Sequence, residues 1–183
     1  MMRGARTQRG FTLIELIMFI VVISGALAGV LTIFIQATRG SADPQLRRQA
    51  MAIAESLLEE VQLMPFTYCD PDDAAAETAT SAAGCTTAEA LGPEAGETRT
   101  ASPQFDNVND YNGYTMASGI TSITGTTVPG LSAYSASVGV QAAALGSVPG
   151  TDALRITVTV TGPGGTQVKL EGWRTRFAPT AIF

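Results

Sequence analysis

The 183-residue sequence predicts an α+β fold: a long N-terminal helix, transmembrane in its first half and amphipathic in its second, packed on a C-terminal antiparallel β-sheet. Three observations predict it. Phe11 to Ile35, FTLIELIMFIVVISGALAGVLTIFI, is a 25-residue apolar run with one charge, Glu15. Leu46, Ala50, Ile53, Leu57, Val61 and Met64 then recur at spacings of three and four, the period of a helix with one apolar face. From Tyr111 onward, apolar and polar residues alternate between turn signals, the period of half-buried strands.

The first helix, placed at residues 11–39, is long enough to span a bilayer, since roughly 20 apolar residues suffice at 1.5 Å per residue. Arg3, Arg6 and Arg9 precede it with no acid among them. Positive charge on that flank predicts a cytoplasmic N-terminus and export of everything after Gly40. Gly25-Ala26-Leu27-Ala28-Gly29 is a G-x-x-x-G spacing, which lets helix backbones approach closely. Gly25 and Gly29 are therefore candidate packing positions.

A second, amphipathic helix is placed at 40–65. Gly40-Ser41-Ala42-Asp43-Pro44 interrupts the periodicity, with Asp43 suited to cap and Pro44 to begin the new helix. Pro65 ends it. Its apolar stripe is expected to cover a sheet of its own domain, with Arg47, Arg48, Glu55, Glu59 and Glu60 on the other face.

Residues 66–110 are predicted to be an acidic loop. They lack periodicity and are rich in Ala, Gly, Pro and Asp. Twelve acids and a single Arg, Arg99, lie from Glu55 to Asp110, which reads as a solvated surface. The only two cysteines, Cys69 and Cys85, fall here. In an exported domain they are expected to pair. The bridge would close a loop of about 15 residues, worth ~3 kcal/mol on the chain-entropy model. No CxxC spacing and no His accompany them, which argues against a metal or redox site.

Two acidic groups in or beside this loop raise calcium. One is Asp70, Asp72 and Asp73; the other is Asp106, Asn107, Asn109 and Asp110 in FDNVNDYNGY. Closely spaced oxygen ligands suit that ion. The same residue types also build turns without metal, and the EF-hand pattern is absent. Turn chemistry is the favoured reading, with Asp106 and Asp110 kept as calcium candidates.

The sheet is placed at 111–183. Tyr134, Ala136, Val138, Val140 and Ala142 share one face of a strand, and Leu154, Ile156, Val158 and Val160 share one face of the next. Gly162-Pro163-Gly164-Gly165 is a turn, after which Thr166 to Phe177 returns. A short strand near Tyr114 to Ala117 brings the count to between three and five. Trp173, Phe177 and Ile182 suit either core or a contact surface, with core the favoured reading.

Several functions are disfavoured. The chain contains no His, which removes the commonest general base and metal ligand. Its net charge is -5, without a basic stripe to neutralise phosphates, which argues against direct nucleic-acid binding. No Gly-rich phosphate loop or nucleophile elbow is present. Neither an enzyme nor a bound cofactor is expected.

The junction before the apolar run carries a family resemblance. A short basic leader ending in Gly10, followed by Phe11-Thr12-Leu13-Ile14-Glu15-Leu16, resembles the processing site of type IV prepilins and type II secretion pseudopilins. The resemblance implies that residues 1–10 are a leader, removed by a prepilin peptidase that cuts between Gly10 and Phe11 and N-methylates Phe11. It also implies that Glu15 meets the new amino terminus of a neighbouring subunit during assembly. That role is physically coherent. A central acid in a membrane helix costs ~2.5–3.5 kcal/mol on insertion scales, and an ammonium partner would offset that cost directionally.

The bridged acidic loop, QAMAIAESLLEEV after Ser-Ala-Asp-Pro, and the stretch from FDNVNDYNG to GWRTRF resemble minor pilins of MSHA-type (mannose-sensitive hemagglutinin) pili, the MshD-like group. This resemblance implies a membrane-anchored subunit that helps to start pilus assembly. Its partners would be other pilins and minor pilins, the prepilin peptidase/methyltransferase and the inner-membrane assembly platform. It would sit single-pass in the inner membrane with a periplasmic C-terminal domain, then in a pilus at the cell surface. A type II secretion minor pseudopilin shares the same N-terminus, and a pilus-tip adhesin module is a further alternative.

Overall fold

The computed structural model describes residues 10–182. The chain divides into two compact units, with the boundary between Asp43 and Pro44. The backbone is helical from Leu13 to Leu63 (α1), with Pro44 inside the helix. In the first unit, Leu13–Gln36 is 24 residues long with a mean hydropathy of 2.7, and none of it is buried within the chain. It is long and apolar enough to span a membrane. The Thr32 Oγ1 hydroxyl donates to the Ala28 carbonyl at 2.8 Å, so that polar group is satisfied without a second helix.

The expected interruption at Gly40 to Pro44 is corrected. Helical backbone continues through it, so Asp43-Pro44 does not start a new helix. A proline removes one i to i−4 hydrogen bond and crowds the preceding turn. That penalty disfavours helix locally but does not force an end where both flanks are strongly helical. The true end is at Leu63. Pro65 supplies no N–H and restricts Met64, and the Met64 N–H falls back on the Val61 carbonyl at 3.3 Å.

In the second unit four strands form one antiparallel sheet in the order β1-β2-β3-β4: Thr115–Met116, Ser135–Ala142, Ala153–Thr161 and Gln167–Thr175. Each strand pairs with its neighbour in sequence, with Val138 opposite Val158 and Val158 opposite Leu170. β1 and β4 are therefore the edges, and exposed Lys169 and Glu171 on β4 pair at 2.8 Å. Alternation puts Ala136, Val138 and Val140 of β2 and Leu154, Ile156, Val158 and Val160 of β3 on the buried face. The amphipathic half of α1 covers that face: Ala50, Ile53, Ala54, Leu57 and Val61 share one apolar core with the strands. Burying such a side chain stabilises by about 1.5–3 kcal/mol.

Gly172 sets how closely α1 approaches β4. A Cβ at that position would lie 2.5 Å from Gln62 Nε2 and 2.9 Å from Leu58 Cδ1. The β3–β4 hairpin turns through Pro163–Gly165, where Gly164 and Gly165 hold φ of 68° and 78°, the left-handed region that glycine enters without strain. Three sequence assignments change at the margins. Ala142 ends β2 exposed rather than buried. Phe177 is 73 % exposed, and Trp173 is only half-buried. Ala142 ends its strand and Phe177 follows β4, whereas Trp173 alternates with Gly172 and so falls on the sheet face opposite α1. Ile182 does pack, against the small cluster of Cys69, Ala76 and Ala79.

Candidate functional site

Two groups of residues outside the core carry chemistry. The first is the start of α1. Gly10, Phe11 and Thr12 precede the helix in non-helical backbone, and Phe11 is 83 % exposed. The Thr12 carbonyl accepts the N–H groups of Glu15 and Leu16, each at 3.1 Å, and Thr12 Oγ1 accepts the Glu15 N–H at 3.4 Å. Thr12 and Glu15 thus have the spacing of a capping box, and the half in which Thr12 accepts is formed. Glu15 also sits in the first turn, where a negative charge complements the helix dipole. Its carboxylate has no hydrogen-bond or ionic partner among the described residues. Gly25 and Gly29 stand on open helix surface: a Cβ at either would meet nothing within 4 Å. Among the described residues nothing packs on Gly25 or Gly29.

The second group is the loop between α1 and β1. Cys69 and Cys85 are joined by a disulfide. Beside it, the turn Val108–Tyr111 is docked by its backbone: the Val108 N–H donates to the Pro65 carbonyl at 3.0 Å, and Asn107 Nδ2 donates to Thr67 Oγ1 at 2.7 Å. Asp110 Oδ2 accepts the N–H groups of Asp106 at 2.9 Å and Asn107 at 2.7 Å. Asp70 Oδ1 accepts the Asp72 N–H and Asp73 Oδ1 the Ala75 N–H, each at 2.8 Å. These are the turn roles expected of Asp. Backbone N–H donors, that of Thr87 first, hold the Asp73 carboxyl below its ordinary range.

Turn chemistry does not account for all the acids. Asp70, Glu97 and Asp106 converge so that one oxygen of each lies within 4.8 Å of the others, and so do Glu89, Glu94 and Asp110. Asp72 and Asp73 belong to neither triad. Asp110 is fully buried, and its Oδ1 has no hydrogen-bond partner among the described residues. The same holds for both carboxylate oxygens of Glu89 and for Asp106 Oδ1. Burial and then neighbouring carboxylates push these acids up: Glu89 to about 9, Asp106 to about 6. Burial, opposed by the two backbone donors, also pushes Asp110 up to about 8, and Glu97 rises to about 7 for want of solvent and beside Asp106.

Arg99, the only cation within the acidic stretch, does not serve these triads. It forms a forked pair with Glu60 on α1, Nε to Oε1 at 2.6 Å and Nη2 to Oε2 at 2.7 Å, while Nη1 donates to the Thr121 and Ser122 carbonyls at 3.1 Å. Tyr111 Oη donates to the same Glu60 carboxylate at 2.8 Å, and the Arg99 guanidinium lies over the Tyr114 ring. The network pins the loop to the helix. Nothing in the local pattern reveals the Glu60–Arg99 pair, though a lone Arg among twelve acids is the residue to ask about. Glu89, Glu94 and Glu97 were equally hidden, since their partners in the triads are remote in sequence.

No family model, no curated protein and no solved structure matches the chain. Its function is therefore inferred from its own residues and their geometry.

Proposed function

We propose that the chain is a minor type IV pilin of the MSHA type: a membrane-anchored structural subunit, not an enzyme, that takes part in starting pilus assembly. One observation carries the reading. Gly10-Phe11-Thr12-Leu13-Ile14-Glu15 leads into a predominantly apolar helical segment of 24 residues, Leu13–Gln36, none of it buried within the chain. A soluble domain would bury such a surface. A subunit that moves from a bilayer to a filament core must keep it available. On this reading a prepilin peptidase cuts between Gly10 and Phe11 in exposed, non-helical backbone, and Phe11 is N-methylated. The carboxylate of Glu15, four residues from the new ammonium, pairs with the terminus of a neighbouring pilin. The assembly platform of the inner membrane extracts the subunit, and the domain after Pro44 faces the periplasm and then the cell exterior.

Mass spectrometry of the protein in sheared, purified pili tests the reading. The expected mature terminus is N-methylated Phe11, and a chain still carrying residues 1–10 in the filament refutes it. Recovery of the processed chain only with a secretion apparatus, never with pili, assigns it instead to the pseudopilins, which share this N-terminus. Glu15→Val is expected to leave leader removal intact and to deplete the subunit from sheared filaments severalfold, as expected from losing a charge pair in an apolar bundle. Incorporation at the wild-type level would rule out the pairing role.

A further inference from the structure

The structure assigns calcium binding to the acidic loop, at two carboxylate triads, Glu89–Glu94–Asp110 and Asp70–Glu97–Asp106. The argument begins with atoms that hydrogen bonding leaves over. Asp110 is fully buried; its Oδ2 is committed to two backbone N–H groups, and its Oδ1 has no partner among the described residues. In the same triad both oxygens of Glu89 are buried and unpartnered. In the other, Asp106 Oδ1 is in the same position. Buried polar atoms are hydrogen-bonded with few exceptions, and a buried carboxylate without a partner costs more than a neutral group. Four such oxygens in one loop are left over for a ligand.

A cation can satisfy them, and among the described residues no basic side chain is paired with them. Arg99, the only basic residue of the acidic stretch, is committed to Glu60.

Geometry selects the ion. Calcium takes six to eight oxygens at about 2.3–2.6 Å, so ligands on opposite sides of the ion stand up to ~5 Å apart. The three ligand atoms of each triad lie within 4.8 Å of one another. Magnesium requires a tighter octahedron at about 2.0–2.1 Å and retains most of its water, so it fits this all-carboxylate cage poorly. Backbone carbonyls and water would complete the shell. The ligands come from both sides of the disulfide-closed segment: Asp70 beside Cys69, Glu89 to Glu97 after Cys85, and Asp106 and Asp110 before β1. Calcium would therefore fasten three remote pieces of a loop that has little apolar core of its own. The inference is independent of the pilin assignment, since it requires only the folded domain.

The test uses the full chain in detergent micelles after dialysis against a chelator. Saturable calcium binding by calorimetry is expected, together with a rise of the thermal midpoint of about 5 °C or more in millimolar calcium. Glu89→Gln with Glu94→Gln should abolish binding at one triad and lower the rise of the midpoint, while Asp72→Asn, outside the triads, should preserve both effects. Should the double variant fail to fold, terbium luminescence of the wild type, excited through Tyr111 beside Asp110 and displaced by calcium, decides the matter. A wild-type chain whose midpoint is equal in calcium and in chelator overturns the assignment. Terbium emission that calcium does not displace does so too, as does an equal response to magnesium.

Discussion

In the helix before Pro44 the apolar side chains are on the outside, whereas in the domain after it several carboxylates are on the inside. Residues from Phe11 to Ile35 expose between 40 % and 83 % of each large apolar side chain, and the single acid there is exposed as well. In the domain, Asp110 is fully buried and Glu89 keeps both of its oxygens from solvent. Each region thus reverses the usual partition of polar and apolar groups. The lesson concerns partners. An apolar surface that the chain does not cover calls for lipid or other apolar helices, and buried carboxyl groups with no basic partner among the described residues hold protons or take a cation. The rest of the domain shows the ordinary solution, since Arg99 neutralises Glu60 internally with a forked pair.

The comparison can be broken most sharply at its outer half. Gly10→Val is expected to abolish leader removal, because a branched side chain would then occupy the cleavage position. N-terminal sequencing of the membrane-bound protein should find residues 1–10 retained, and normal removal would refute the cleavage assignment. Next in size is Arg99→Ala. Removing one partner of a largely buried ion pair leaves the Glu60 carboxylate and the Tyr111 hydroxyl without their cation, at a cost of about 3–5 kcal/mol. Urea unfolding should show this as a lower midpoint with an unchanged slope. Cys85→Ser should cost ~3 kcal/mol by releasing the loop, and the same titration measures it.

The smallest effect sharpens the inner half. Glu89, Glu97, Asp106 and Asp110 bind protons more tightly in the folded chain than their ordinary values allow. The folded state therefore holds more protons than the unfolded state above about pH 4. The stability this contributes is complete below that pH and is lost as pH rises through the folded values, from about 6 at Asp106 to about 9 at Glu89. Chelator-treated protein should melt roughly 5 °C lower at pH 9 than at pH 5. A thermal midpoint independent of pH would show that these acids are not held as the structure has them.

Much of the architecture was legible because its signals are local. The apolar run, the three-and-four spacing from Leu46 to Val61 and the alternation of Leu154 to Val160 each report one element without reference to any other. The failures are of two kinds. Pro44 shows that a residue with a strong local preference can be overruled by the helix on both sides. Phe177 shows that an apolar residue after a strand end has no face to join. The site was less legible for a related reason. Asp106 and Asp110 stood out because they lie together in sequence, but their roles differ: Asp110 directs one oxygen to backbone and Asp106 joins Asp70 and Glu97. Convergence of carboxylates from Asp70, the 89–97 segment and the 106–110 turn is set by the disulfide and the docked turn, and no spacing encodes it.

The charges on β4 have a consequence for life at high density. The sheet ends on a nine-residue strand whose outer edge has no neighbour, and such an edge invites a strand from another molecule. Lys169 and Glu171 already satisfy one another there at 2.8 Å. A foreign strand would have to strip water from both to dock. Chains crowded side by side are thereby kept from fusing their sheets.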